Sequence, residues 1–289
     1  GEPEGLPFPA VTALALAADT GDLWIGTMGG LARLSAGRMD VFTQTNSGLA
    51  NDVIYAVAVV GADVWVATAA GLSHLDTRSG SWEIFDTDNT LMHEPWTYSV
   101  SADAEAVYVA VWGGGVVIRD HATGQFREHR DPDGEMEIDL FRDDGLVHDV
   151  VSSISVADGV MWVGTYFGLS RYEGRRWQSY SVKDSGIAGD FINTVKARGA
   201  VVWIGTDQGL SRFDSSTWHS WRRRREGHGS ELTVRDEAGR SASRLLPRGP
   251  ASDMIFGIDL DGEDVWLATA EGLSHGIASR RVVRNESGN

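Results

Sequence analysis

A nine-residue phrase recurs six times along this 289-residue chain, and no other feature restricts the fold as tightly. It reads LWIGTMGGL at 23–31, VWVATAAGL at 64–72, VYVAVWGGG at 107–115, MWVGTYFGL at 161–169, VWIGTDQGL at 202–210 and VWLATAEGL at 265–273. The aromatic anchors Trp24, Trp65, Tyr108, Trp162, Trp203 and Trp266 are 41, 43, 54, 41 and 63 residues apart. A base period near 41 residues, stretched twice, marks a tandem structural repeat rather than a set of unrelated domains.

One period, residues 145–180, reads as four strands. VVSSISVA alternates in apolar character at period two, ADG turns the chain, and MWVGT, LSRY and WQSY follow as further short strands. The same order recurs at 48–85 and 186–221, and no helical periodicity interrupts it. The expected fold is all-β: a single six-bladed β-propeller over 1–289, built of four-stranded antiparallel blades. The blades fall near 5–46, 47–88, 89–142, 143–184, 185–247 and 248–289. With the first inner strand near 11–18 and the last outer strand near 280–284, closure is expected to rest on face-to-face packing of blades one and six. The anchoring tryptophans are expected in the core. Arg33, His74, Arg171, Arg212 and His275 share one third-strand position and read as blade-packing or surface residues.

The WIGT-x-x-GL-S-R pattern, with GL-x-x-D twelve to seventeen residues before the Trp, resembles the two-component regulator propeller repeat. The resemblance covers essentially the whole chain. It implies the propeller fold. Because repeats of that family occur in extracytoplasmic sensor regions and in secreted or surface proteins, it also implies a periplasmic, surface or secreted setting. On function it says little, since such repeats are a scaffold with many uses.

Net charge is −16, from 41 acidic against 25 basic residues, which argues against nucleic acid as a partner. No run of 18 apolar residues is present, so insertion into a membrane is not expected. Without cysteine there are no disulfides or thiolate metal sites. The start at Gly1, without an initiator Met, suggests removal of an upstream signal peptide, lipoprotein leader or tag.

Candidate site residues follow from propeller geometry. Links into each inner strand share one rim with the turns between second and third strands, where loops from all blades converge. Just before the inner strands of blades two to six stand Asp52, Pro95, Asp149, Asp190 and Asp253, preceded by Asn51, Glu94, His148, Gly189 and Ser252. Blade one departs from the rule at Ala10 and Val11. One reading is a carboxylate-rich cup for a divalent cation such as calcium, or for a cationic or polyhydroxylated ligand. The other is that each Asp hydrogen-bonds its own turn. His93 with Glu94 and His148 with Asp149 are the metal candidates least readily explained by turn chemistry. The second-to-third-strand turns add Met28, Trp112, Tyr166, Phe167, Asp207, Gln208 and Glu271. Aromatic groups beside carboxylates suit a sugar or a cationic ligand, or else pack under a neighbouring loop.

Two rim insertions account for the stretched spacings. Residues 130–144 are acidic, and the start at Asp131 resembles a calcium loop but has Arg142 at the twelfth position, so no EF-hand is assigned. Residues 222–248 open with RRRR and hold eight arginines against four acids, and read either as an arm docking on its own acidic rim or an anionic partner, or as a solvated hairpin.

No catalytic set emerges: there is no Cys, no G-x-S-x-G, no phosphate-binding Gly loop, and His93–Glu94 is followed by Thr97 rather than by a second His. The favoured reading is a non-catalytic extracytoplasmic propeller that recognises a protein partner or a small polar, carbohydrate-like ligand at the rim and channel mouth. Alternatives are a metal-dependent lyase or hydrolase with a His/carboxylate site there, or a structural subunit of a larger surface assembly.

Overall fold

The computed structural model describes residues 5–134, 141, 143–224 and 229–277. Blade one comprises β1 (Val11–Leu16), β2 (Leu23–Thr27), β3 (Gly30–Ser35) and β4 (Arg38–Phe42). Blade two comprises β5 (Ile54–Val60), β6 (Asp63–Thr68), β7 (Gly71–Asp76) and β8 (Ser81–Phe85). Blade three holds β9 (Thr97–Ala102), β10 (Ala106–Val111), β11 (Gly115–Asp120) and β12 (Phe126–His129). Blade four holds β13 (Val151–Ala157), β14 (Val160–Thr165), β15 (Leu169–Glu173) and β16 (Arg176–Tyr180). Blade five has β17 (Ile192–Arg198), β18 (Val201–Thr206), β19 (Leu210–Phe213) and β20 (Thr217–Arg223), extended by β21 (Ser230–Asp236) and β22 (Ser241–Leu246). Blade six shows β23 (Ile255–Asp261), β24 (Asp264–Thr269) and β25 (Gly272–Gly276). Every sheet is an antiparallel meander, and together they form a six-bladed β-propeller. Among the described residues there is no helix. The outer strand expected at 280–284 lies outside the described residues.

The recurring phrase has a local physical cause. In five of the six blades the Thr ending the second strand donates its hydroxyl to the carbonyl three residues on, Thr27 to Gly30, Thr68 to Gly71, Thr165 to Gly168, Thr206 to Gly209 and Thr269 to Gly272, while blade three has Val111 there. The same oxygen accepts an N–H two residues on, so one side chain closes the turn. Gly71 is required for two reasons. Its φ is 109°, and a Cβ there would lie 2.4 Å from the Phe85 carbonyl of the outer strand.

A second lock uses the Ser after Gly-Leu. Ser73, Ser170 and Ser211 are fully buried and accept the N–H of Ala50, Val147 and Ala188 from the incoming linker. The third-strand basic residues behave as expected. His74 stacks on Trp65 at 4.1 Å and His275 on Trp266 at 3.8 Å, while Arg33, Arg171 and Arg212 lie over Trp24, Trp162 and Trp203. Each also pairs with a neighbouring acid, as Arg33 does with Asp22.

The insertion at 222–248 forms a hairpin with an exposed outer strand, and that hairpin is built into a blade. It continues β20 and returns as β21 and β22, widening blade five to six strands. The edge of β20 supplies a backbone ladder from Thr217–Asp236 to Arg223–Ser230, so few apolar side chains are needed and Leu232 alone of the hairpin's leucines is deeply buried. Residues 225–228 of the arginine run are outside the described residues.

Blades pack through apolar faces, with Trp24 and Leu31 of blade one against Ile54, Val64 and Val66 of blade two, and equivalent clusters onward to blade six. Packing of blade six on blade one, expected from the sequence, is not found among the described residues. Leu14 and Leu16 on β1 are 62% and 66% exposed, and Leu273 on β25 is 69% exposed. Trp266, expected in the core, is 36% exposed because no blade covers it, whereas Trp24 is 1% exposed beneath blade two.

Candidate functional site

The rim aspartates are spent on the scaffold. Asp52, Asp149, Asp190 and Asp253 each accept a backbone N–H from the preceding blade, that of Gln44, Asp131, Val182 and Arg223, at 2.6–2.7 Å. In every case the donor lies two residues beyond the outer-strand residue paired with Leu31, Val116, Leu169 or Leu210. The repeat's Asp is therefore a clip between consecutive blades. Asp149, 3% exposed, also accepts two hydrogen bonds from the Arg130 guanidinium at 3.0 and 2.7 Å.

The remaining polar candidates are dispersed. His93 is exposed and meets Glu128 at 3.1 Å, and Glu94 is exposed beside it. His148 is buried, accepts the Val150 N–H through Nδ1 and lies 4.3 Å from the Phe167 ring. Glu271 pairs with Arg223, and Gln208 is exposed. Among the described residues no group of three or more His, Asp or Glu side chains is placed to hold a metal ion.

What the fold does gather at this rim is aromatic. All six inner strands carry a register irregularity at the same place, so one residue has no partner on the second strand: Thr12, Tyr55, Tyr98, Ser152, Asn193 and Phe256. A bulge re-aims its side chain and breaks the strand's alternation. Thr12 and Ser152 donate to the carbonyls of Ile54 and Ile192 on the next blade. Tyr55 and Tyr98 instead stack on each other with centroids 4.5 Å apart.

From Tyr98 the contacts continue to Trp112 at 4.6 Å, from Trp112 edge-on to Tyr166 at 4.8 Å, and from Tyr166 to Phe191 at 3.6 Å. Five half-buried rings from blades two to five thus form one ladder. Burial, then the neighbouring Tyr55 and Tyr166, holds the Tyr98 phenol above the ordinary tyrosine range; burial does the same for Tyr166. These phenols stay neutral and are hydrogen-bonding groups rather than charges.

The ladder ends near carboxylates. Asp207 N donates to the Phe191 carbonyl at 3.3 Å, and its buried Oδ1 has no hydrogen-bond partner among the described residues. Burial, with Asp184 and Asp207 nearby, pushes the Asp190 carboxyl up despite the Val182 N–H that it accepts. Trp96 and Phe256 are about half exposed, at 49% and 55%.

Of the residues singled out from the sequence, Trp112 and Tyr166 belong to the ladder, while Phe167 packs on His148 instead. Tyr55, Tyr98 and Phe191 were missed. A readable signal existed, because Tyr55, Tyr98 and Phe256 occupy one repeat position, immediately after the first inner-strand residue.

No protein-family model matches the chain, and no curated protein sequence does. Solved structures resemble it in fold. The extracellular domain of the hybrid two-component system BT3049 of B. thetaiotaomicron superposes with a TM-score of 0.59 at 15% identity, over 92% of this chain and 39% of that one. The extracellular domain of BT4673 from the same organism, described as a one-component system, gives 0.57 at 18% identity, over 95% and 41%. BamB from Moraxella catarrhalis gives 0.53 at 18% identity, over 92% and 83%. The chain thus spans about two fifths of the length of the two extracellular domains. These likenesses show the fold and agree with the resemblance of the repeat to that of two-component regulator propellers.

Proposed function

We propose that this chain is a non-catalytic recognition propeller whose ligand lies against the aromatic ladder at the channel mouth. The carrying observation is the run Tyr55–Tyr98–Trp112–Tyr166–Phe191, in which four consecutive blades contribute rings at or beside bulged strand entrances. A wall of rings edged by phenol hydroxyls and the Asp207 carboxylate fits a small polar ligand with a flat apolar face, of which a sugar ring is the prime case. A side chain of a protein partner would meet the same surface. An extracytoplasmic setting accords with the extracellular domains that the fold resembles.

The test is a glycan array followed by calorimetric titration of the oligosaccharide that binds. Trp112→Ala and Tyr98→Ala are each expected to weaken binding by about tenfold, because Tyr98 is held between Tyr55 and Trp112 and loss of either ring breaks the wall. Binding that survives both substitutions unchanged would place the ligand elsewhere and defeat the proposal.

A further inference from the structure

We propose that the cleft between blades five and six binds a small aromatic acid, its ring against Trp221 and its carboxylate on Arg244 and Arg248. At the four preceding interfaces, the outer strand of the following blade carries a ring that covers the outer strand before it. Trp82 lies 5.7 Å from Phe42, Phe126 5.9 Å from Phe85, Trp177 5.2 Å from His129 and Trp218 5.3 Å from Tyr180. The covered residues share one register, paired with Leu31, Leu72, Val116 and Leu169. Trp221 holds that position in blade five, paired with Leu210. Residues 267–289 contain no Phe, Tyr or Trp to cover it.

Trp221 instead lines a cleft of about 950 Å³ between the two blades, which are joined beside it through Leu210, Ile255, Ile258 and Leu267. Trp203 stands half-buried on the same wall, whereas the anchors Trp24, Trp65, Tyr108 and Trp162 are 1–8% exposed. Trp203 stacks on Trp221 at 5.6 Å, and His219 continues the row at 6.1 Å, both at 21°. Three nearly parallel rings therefore border a space where the fold elsewhere places a fourth.

The cleft is basic, although the chain carries a net charge of −16. Arg198, Arg212, Arg244 and Arg248 line it against one acid, Glu263. Arg212 is paired with Asp214 at 2.8 Å, and Arg198 donates to the Leu260 and Gly262 carbonyls across the two blades. Arg244 and Arg248 are exposed and have no acidic partner among the described residues. Burial, then Arg212 and Arg244 against the opposing Asp214, lowers the His219 imidazole, so at neutral pH the cations here are the arginines.

The rings favour a planar apolar body, and two forked guanidiniums favour a carboxylate. An aliphatic anion would forgo the stacking, and an aromatic cation would meet like charge. Residues 278–289 supply three arginines, one acid and no such ring, which is not the chemistry that the cleft complements. Its volume is that of a small-ligand site, and it shares no residue with the aromatic ladder.

The experiment titrates 2-naphthoate into the 289-residue chain by calorimetry, beside 2-naphthylmethylammonium and cyclohexanecarboxylate. Naphthoate is expected to bind more tightly than either by about tenfold or more, the worth of one charge-assisted contact. Arg244→Gln and Arg248→Gln, both at exposed positions, should each weaken it about tenfold with Tm unchanged, and Arg244→Lys should recover part of the loss. Ile277, 71% exposed, also lines the cleft, and Ile277→Trp should fill the ring's place and block binding. Four results would overturn the proposal: no binding of naphthoate, equal binding of the ammonium compound, no effect of either arginine substitution, or a loss in Trp112→Ala alone, which would put the probe on the ladder.

Discussion

Replacing Asp149 by Ala separates a structural clip from a cation ligand. The wild-type carboxylate is 3% exposed and accepts the Asp131 N–H at 2.7 Å together with two guanidinium hydrogen bonds from Arg130. Arg130, whose side chain is 39% exposed, can be rehydrated after the loss. The Asp131 N–H cannot, because that residue is 8% exposed. Stranding one buried donor costs about 1–3 kcal/mol, and the lost charge-assisted bonds bring the total to about 3 kcal/mol. For a chain of this size that corresponds to a Tm lower by roughly 6–12 °C. Asp149→Asn keeps an acceptor for the N–H and should fall about halfway. Asp52→Ala, whose bond to Gln44 is exposed, should cost about 1 kcal/mol. The assay is thermal unfolding by circular dichroism, with EDTA and with added calcium. The clip argument fails if Asp149→Ala melts like wild type, or if calcium stabilises wild type and loses that effect in the variant.

Asp190→Asn should raise stability at neutral pH. Its folded carboxyl is shifted upward, chiefly by burial, so the folded state favours the protonated form. The stability it contributes is complete below the ordinary Asp range and lost as pH rises through the higher folded value. The variant's advantage over wild type, read from melts between pH 3 and 7, should therefore vanish at the acid end. Gly71→Ala should destabilise by more than 2 kcal/mol, since the added methyl meets the Phe85 carbonyl at 2.4 Å and φ is 109°. Gly61→Ala, with φ 57° and open space around it, should cost about 1 kcal/mol, and urea titration of the pair distinguishes clash from backbone preference. In alkaline solution, ultraviolet titration should find Tyr108 ionising at about 12, held there by burial and by Asp103.

The rim aspartates show how much of the site was readable. Their repeat position placed them at strand entrances, and the turn-chemistry alternative was available from their residue type. Their acceptor role could not be assigned from spacing alone, because the donors lie in the preceding blade and the pairs are 8, 18, 8 and 30 residues apart. His93 and His148 looked alike in sequence, yet one is exposed on Glu128 and the other buried on Phe167. Tyr55 and Tyr98 escaped notice because a bulge breaks the two-residue alternation used to sort inward from outward side chains.

Local chemistry written into each period was enough for the blades themselves. Thr68 closing on Gly71, Ser73 catching Ala50 and the apolar run of β6 involve residues that lie close in the chain or recur at a fixed interval. Such interactions leave a periodic trace that one sequence displays. The aromatic ladder leaves only a partial one, the repeat position that Tyr55, Tyr98 and Phe256 share. The ladder joins Tyr55 to Phe191 across four blades, and the exposure of Leu14 and Leu273 shows only once the blades are assembled. Both depend on the angle that successive packed interfaces impose, and that angle accumulates from side-chain volumes at every blade boundary rather than residing in any one repeat.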